Sequence, residues 1–379
     1  MDRYEDTVEL WYPDNSGFTK TDIHFFTGTP DLLSYFFPAN SSETQICRLF
    51  VTDKTIASLS VMKPFIDYLK ALNDKKNILL VLEPGESSKT IESVLAIVRT
   101  AVEHNFTRQA QFVGIGGGVV CDMTGFAASM FKRGVQASFV PTTLLADVDA
   151  AIGGKTGCDF ETYKNMIGAF YPAQSVTIWP DFIQTLPEKE FISGLAEAIK
   201  TAFLFSPDIC TLFATQKDKI MNRDTQILSR IIKECAKAKA SIVHTDFKEK
   251  AERAYLNYGH TFGHALESIA GLGTITHGEG VAWGMGRALD LSARTGACTK
   301  EFANKNKQLL ASYGYDMNPM PAVLAGSSSL SAIQEKLLAA MKKDKKNIST
   351  SAVRVTLQKD YCNTFMQEVS DNDILAVLK

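Results

Sequence analysis

Short apolar runs alternate with longer polar stretches through the first half of the chain: Cys47 to Thr52, Ile56 to Leu72, Ile78 to Leu82, Thr90 to Glu103 and Phe112 to Ile115. In order these predict strand, helix, strand, helix, strand, the pattern of a parallel sheet with helices on its faces. Past Pro187 the pattern changes. From Glu188 to Thr295 the segments are long, rich in Ala, Leu, Lys and Glu, and apolar residues recur with a period of about 3.6, which predicts helices. The change of pattern places a boundary near residue 180. The expectation is an α/β domain of Rossmann-like design over 1–180 and a mostly α-helical domain over 181–379, with a site in the cleft between them. A chain of 379 residues is long enough to give each its own core.

Composition removes several function classes. A hydrophobic fraction of 45%, a charged fraction of 22% and a formal net charge of -2 describe an ordinary globular protein. No basic stretch outweighs its acidic neighbours except Lys342-Lys343-Asp344-Lys345-Lys346, which on its own reads as a solvated helix end. Nucleic acid is therefore not the expected partner. Seven cysteines without a Cys-x-x-Cys pair speak against a disulfide framework and a cysteine zinc site. Met1-Asp2-Arg3-Tyr4-Glu5-Asp6 lacks the apolar run of a signal peptide, and no apolar stretch reaches the roughly 20 residues that span a bilayer. These features predict a cytoplasmic protein that acts on metabolites.

Gly114-Ile115-Gly116-Gly117-Gly118-Val119-Val120 follows an apolar strand and leads into a predicted helix from Cys121 to Ser129. Glycines there let backbone N–H groups approach a ligand, and a helix N-terminus favours a diphosphate; a tight structural turn is the alternative. Two other segments end strands with suitable polar groups: Val51-Thr52-Asp53, whose acid suits a ribose hydroxyl, and Pro84-Gly85-Glu86-Ser87-Ser88-Lys89. Further on come Pro141-Thr142-Thr143-Leu144-Leu145-Ala146-Asp147-Val148-Asp149, Gly153-Gly154-Lys155-Thr156-Gly157 and Lys164-Asn165. Glycines beside lysines supply donors for a phosphate or polyol, or else they are surface lysines in ordinary ion pairs.

Arg253, Asn257, His260 and His264 are spaced by 4, 3 and 4 residues, which would put them within roughly 60° of one helical face. Such a face is a poor core face, because each buried polar group would need a partner. His277 follows in Thr276-His277-Gly278-Glu279-Gly280. Imidazoles so arranged suit a metal, although Thr261 stands where a His-Glu-x-x-His protease needs glutamate. A carboxylate ligand is available in Gly194-Leu195-Ala196-Glu197-Ala198-Ile199-Lys200, where Lys200 shares a helical face with Glu197.

Taken in order, Gly116-Gly117-Gly118-Val119-x-x-Asp122, Arg133-Gly134-Val135, Pro141 to Ala146, Val148-Asp149, Gly153-Gly154-Lys155-Thr156, Lys164-Asn165, Gly194-x-Ala196-Glu197-x-Ile199-Lys200 and Leu256-Asn257-x-Gly259-His260-Thr261-Phe262-Gly263-His264-Ala265 resemble the dehydroquinate synthases of the sugar-phosphate cyclase superfamily. The resemblance runs from about Val51 to about Lys346. It implies a zinc or cobalt ion held by Glu197, His260 and His277. It implies NAD bound by Asp53, Glu86, Lys89, Gly117, Gly118, Asp122, Thr142, Thr143, Lys164 and Thr185. The implied substrate is 3-deoxy-D-arabino-heptulosonate 7-phosphate. Its carbon frame would meet Asp149, Lys155, Lys200, Lys239, Glu249 and Arg253, and its phosphate Asn165, Asn257, His264 and a lysine, Lys345 or Lys346. Arg133 matches an arginine that reaches the neighbouring subunit's phosphate, which implies a homodimer. The implied role of His264 and the lysines is to position the substrate and hold charge during phosphate elimination.

Three positions depart from the usual pattern of that family: Cys121 for glycine, Asp147 for a neutral residue and Phe247 for an acidic one. The first 45 residues match nothing in it. Related cyclases make valiolone-type, deoxy-inosose or amino-dehydroquinate products. The valiolone type tends to lose the helix asparagine and second histidine, both present here as Asn257 and His264, so amino-dehydroquinate synthesis is the nearer alternative. Iron-type polyol dehydrogenases share the layout but need no phosphate-binding array.

Overall fold

The computed structural model describes residues 4–38, 46–161, 163–271, 273–326, 329–343 and 353–379. The chain forms two compact units, Met1–Leu186 with Leu228–Lys248, and Pro187–Ile227 with Glu249–Lys379. No helix among the described residues is long and apolar enough to cross a membrane.

The first unit is built on β1 (Tyr4–Trp11), β2 (Lys20–Phe26), β3 (Arg48–Asp53), β4 (Asn77–Leu82), β5 (Gln111–Gly116), β6 (Gln136–Pro141), and β9 (Ser175–Ile178), in the order β1-β2-β9-β6-β5-β3-β4. Only the β1–β2 pair is antiparallel. A separate hairpin is made by β7 (Lys155–Phe160) and β8 (Tyr163–Phe170). The three strands expected at 47–52, 78–82 and 112–115 are β3, β4 and β5. In β3, Leu49, Phe50 and Val51 are all fully buried, as expected of a central parallel strand covered on both faces.

The single helix expected over 56–72 is broken into the helix Lys54–Ala57, a 3-10 turn Ser60–Met62 and the helix Lys63–Leu72. Pro64 explains the break, because it lacks an N–H and is accommodated at the start of a helix. Thr90 caps the helix Ile91–Glu103, its hydroxyl accepting from the Ser93 N–H at 3.3 Å. The unmatched N-terminal segment supplies the β1–β2 edge of the sheet. The helix Thr225–Thr245, which its composition places with the helical half, goes from Leu228 onward with the first unit.

The second unit is mostly helical, with one hairpin, β10 (Val353–Asp360) and β11 (Asn363–Val369). Phe262, Leu266, Trp283, Leu337, Val355 and Ile374 belong to its core. Here one expectation is corrected: Arg253, Asn257, His260 and His264 do not share one helix. Arg253 and Asn257 lie on a 3-10 segment, Glu252–Asn257, and a new helix starts at His260 and runs to Ala270. Gly259, with φ of 81°, turns the chain between them. A Cβ on Gly259 would lie 2.6 Å from the Val281 carbonyl oxygen, so the two segments meet the helix His277–Arg294 only through glycine.

Gly259→Ala combines a left-handed backbone with that clash and should destabilise the protein by about 2 kcal/mol or more. Urea unfolding measures this, and a midpoint equal to that of the unmodified protein would contradict the close-packing account.

Candidate active site

Glu197 sits in the middle of the helix Glu188–Phe205 and is 1% exposed. A carboxylate so buried needs opposite charge. Lys200, one turn further along and equally buried, forms an ion pair with it. The other partners are His260 and His277, whose Nε2 atoms each lie 3.5 Å from Glu197 Oε1. Chain geometry fixes both imidazoles. His260 opens its helix directly after the Gly259 turn. His277 opens the helix His277–Arg294 behind a capping box, in which Thr276 accepts from the Glu279 N–H and Glu279 accepts from the Thr276 N–H. Gly278 lets that helix approach the one bearing Glu197, since a Cβ there would lie 2.5 Å from Ser193 Cα; its N–H donates to Ser193 Oγ at 3.0 Å.

One ligand atom from each of Glu197, His260 and His277 lies within 4.8 Å of the others. With metal–ligand bonds of about 2.0–2.2 Å, tetrahedral neighbours sit roughly 3.4 Å apart, which matches the two 3.5 Å separations. Two imidazoles and a carboxylate are a donor set that leaves a fourth position for substrate. The residues present therefore fit a divalent ion.

Glu267, 7% exposed, accepts a hydrogen bond from His277 Nδ1 at 2.8 Å. Burial opposes protonation of the His277 ring, but hydrogen bonds and charge from Glu197 and Glu267 outweigh it and push the pKa up to about 9. Glu267 was missed in the sequence, although the signal is there: His260, His264 and Glu267 are spaced by 4 and 3 on one real helix face. The His264 ring lies 5.3 Å from that of His260 and 5.9 Å from that of His277. Asn257 Nδ2 donates to Glu249 Oε1 at 2.6 Å, and Arg253 is 1% exposed in the same unit.

In the first unit the parallel strands β3, β4, β5 and β6 end along one edge of the sheet, where ligands of such sheets gather. Gly117 caps the helix Gly118–Met130 directly after β5. Cβ atoms on Gly117 and Gly118 would sit 3.0 Å from the Thr143 and Ala150 side chains, so glycine lets that segment pack closely against the helix N-terminus. The Thr142 hydroxyl, at the end of β6, is buried with no hydrogen-bond partner among the described residues, an acceptor or donor awaiting one. Both features fit a dinucleotide. Asp53 also has a structural task, its Oδ1 accepting from the Ile56 N–H at 2.9 Å. Glu86 opens the short 3-10 turn after Gly85, and Thr185 closes the one at Pro180–Thr185. Thr143 Oγ1 accepts from the Ala146 N–H at 3.2 Å.

Lys89, 5% exposed, pairs with Asp122 Oδ2 at 2.7 Å and donates to Asn165 Oδ1 at 2.6 Å. Burial works against its charge, but Asp122, Glu86 and Asp159 hold its pKa above the ordinary lysine value. Lys239 Nζ contacts Asp149 twice, at 2.6 Å to Oδ1 and 2.5 Å to its carbonyl oxygen. Lys155 opens β7 and is exposed; Lys164 and Asn165 lie on β8. Arg133 is exposed in a run of three positive φ angles, Lys132, Arg133 and Gly134. Asn165 and Glu249, at φ of 50° and 55°, are likewise in the left-handed region, the kind of strain that clusters at functional positions. Lys345 and Lys346 lie outside the described residues.

The fold is that of the sugar-phosphate cyclases. A solved 2-deoxy-scyllo-inosose synthase, complexed with carbaglucose-6-phosphate, NAD+ and Co2+, superposes with a TM-score of 0.81 at 22% identity, covering 98% of this chain and 99% of the other. ValA, the 2-epi-5-epi-valiolone synthase of Streptomyces hygroscopicus subsp. jinggangensis 5008 with NAD+ and Zn2+ bound, gives 0.79 at 24% identity, covering 96% and 97%. Within that fold the chain belongs to the 3-dehydroquinate synthase family: the model of the family's N-terminal part matches residues 79–193 and that of its C-terminal part residues 194–347. The 3-dehydroquinate synthase of Francisella tularensis subsp. holarctica (strain FTNF002-00 / FTA) is 37% identical over 329 residues, 86% of this chain and 88% of that protein.

Asp147 stands apart from the paired charges. It is fully buried in the π-helical turn Ala146–Ala150, neither carboxylate oxygen has a hydrogen-bond partner among the described residues, and burial alone pushes its pKa well above the usual carboxylate range. The folded state thus keeps a proton that the unfolded chain releases near pH 4. Stability from this group is intact below that pH and falls as pH rises toward the folded pKa, by at most about 1.4 kcal/mol per unit. Asp147→Asn should therefore gain stability over the unmodified protein between pH 5 and pH 8. Thermal unfolding across that range tests it; parallel curves would show that Asp147 finds a partner in solution.

Proposed function

We propose that this chain converts 3-deoxy-D-arabino-heptulosonate 7-phosphate to 3-dehydroquinate and phosphate, with NAD and a divalent ion, zinc or cobalt, as cofactors. The observation that carries the reading is the Glu197–His260–His277 cluster, three donors within 4.8 Å, in a chain of the family just described.

When bound, NAD takes up and returns a hydride while the ion polarises the alcohol that loses it. The new carbonyl acidifies the neighbouring C–H and phosphate leaves by β-elimination; once the hydride has been returned, the ring opens and an intramolecular aldol step closes the carbocycle. The chain's residues orient the substrate and hold charge. Asp149, Lys155, Lys200, Lys239, Glu249 and Arg253 take the carbon frame. Asn165, Asn257, His264 and Lys345 or Lys346 take the phosphate, whose departing charge needs fixed donors. Asp53, Glu86, Lys89, Gly117, Gly118, Asp122, Thr142, Thr143, Lys164 and Thr185 take NAD. A homodimer, with Arg133 reaching the second copy, is supported by Phe160, Tyr163 and Met166, which leave 45%, 57% and 44% of their surface exposed on the β7–β8 hairpin.

Purified protein given substrate, zinc or cobalt and catalytic NAD should release phosphate and yield a product of dehydroquinate mass without net NADH. Accumulating NADH would instead mark a polyol dehydrogenase. His260→Ala should lose both the metal, read by metal content after dialysis, and turnover. Glu267→Gln should weaken metal affinity by about 10–100-fold, as loss of a carboxylate behind a ligating imidazole does; competition with a chelating dye measures it, and unchanged affinity would remove Glu267 from the metal site.

A further inference from the structure

The N-terminal segment and Phe247 are the parts of the first unit that the reaction leaves without a role, and they touch each other. The Phe247 side chain, 4% exposed just past the helix Thr225–Thr245, lies with its ring 5.0 Å from Tyr12, 6.0 Å from Phe18 and 5.4 Å from Phe170. Phe18 also packs on Tyr171 at 5.6 Å, and the Tyr171 hydroxyl donates to the Val135 carbonyl at 2.7 Å. Tyr12 is anchored in turn, its hydroxyl 2.8 Å from that of Thr21. Aromatic contacts of this kind add to plain burial.

Two more contacts tie the same helix to β1. His244 Nδ1 lies 2.8 Å from the Trp11 carbonyl oxygen, and Lys233 forms an ion pair with Asp6. Lys233 and His244 fall within about 20° of one stripe of the helix, and Lys239 lies about 120° round from Lys233. The helix is therefore held by the N-terminal hairpin along one stripe, while another delivers Lys239 to Asp149. The Lys239 side chain is buried at 6% exposure and held by Asp149, so the register and rotation of its helix decide where its charge sits.

We propose that the N-terminal hairpin is a positioning element for Lys239, acting through the aromatic clasp of Tyr12, Phe18 and Phe247. The proposal rests on the reading that Lys239 contacts substrate, and Phe247 is a positioning residue that touches none. It predicts energetic coupling between Phe247 and Lys239, two residues without a shared ligand contact.

The test is calorimetric binding of 3-deoxy-D-arabino-heptulosonate 7-phosphate to zinc-loaded full-length protein with NAD withheld, so that nothing turns over. Four proteins form a cycle: unmodified, Phe247→Ala, Lys239→Ala and the double variant. Phe247→Ala should weaken binding about tenfold when Lys239 is present and less than about twofold when it is absent, while Phe247→Leu, which keeps most of the apolar body, restores affinity. Equal losses in both backgrounds would overturn the positioning role and leave a general stability effect. If Lys239→Ala alone binds like the unmodified protein, the substrate role of Lys239 fails, and this proposal with it. Should Phe247→Ala not fold, Phe18→Ala, which trims the clasp from its partly exposed side, replaces it with the same expected pattern.

Discussion

The second unit is organised by the need to compensate one buried carboxylate. Glu197 at 1% exposure is tolerable only because a lysine and two imidazoles converge on it, and each arrives by a separate device. Lys200 comes from the same helix one turn on, His260 from a chain reversal that only glycine accommodates, and His277 from a capped helix start that Gly278 brings against Ser193. A buried ion pair by itself is weak evidence for stability, because desolvation offsets much of the attraction. Convergence of three groups with tetrahedral spacing is better explained by the charge of an ion than by folding.

The first unit treats its charges by the same rule but with one-to-one pairs. Lys89 meets Asp122 and Lys239 meets Asp149, each at the ligand-facing side of a sheet whose strands were placed by their apolar runs. Pairing holds the pKa of Lys89 above the ordinary lysine value, and in both pairs it limits the rotamers of the lysine. Strain is placed with them. Arg133 and Asn165 adopt positive φ without being glycine, as Glu249 does in the second unit, and all three were singled out for substrate contact on other grounds.

Much of this was legible in the sequence, because parallel strands and glycine-rich turns carry local signals. β3, β4 and β5 follow directly from apolar runs, and the Glu197–Lys200 pair from helical spacing. What was not legible depended on chain direction or distant packing. The spacing of Arg253, Asn257, His260 and His264 fits one helix, and nothing local in it announces that Gly259 takes φ of 81° because Val281 lies against it. Glu267 continues the 4-3-4 spacing by a further three residues, so its place on the histidine face was legible, and only its contact with His277 was not. The helix with Lys239 looks like its neighbours in composition, and its contacts with β1 and Asp149 assign it to the α/β unit.

The departures from the family pattern divide by what surrounds them. Phe247 stands where the resemblance leads one to expect an acidic residue, and the structure packs it against Tyr12, Phe18 and Phe170. Asp147 replaces a neutral one, and no partner among the described residues answers it. Burial raises its pKa well above the usual carboxylate range, and burial likewise raises that of the Cys121 thiol, so at both positions the uncharged form is favoured.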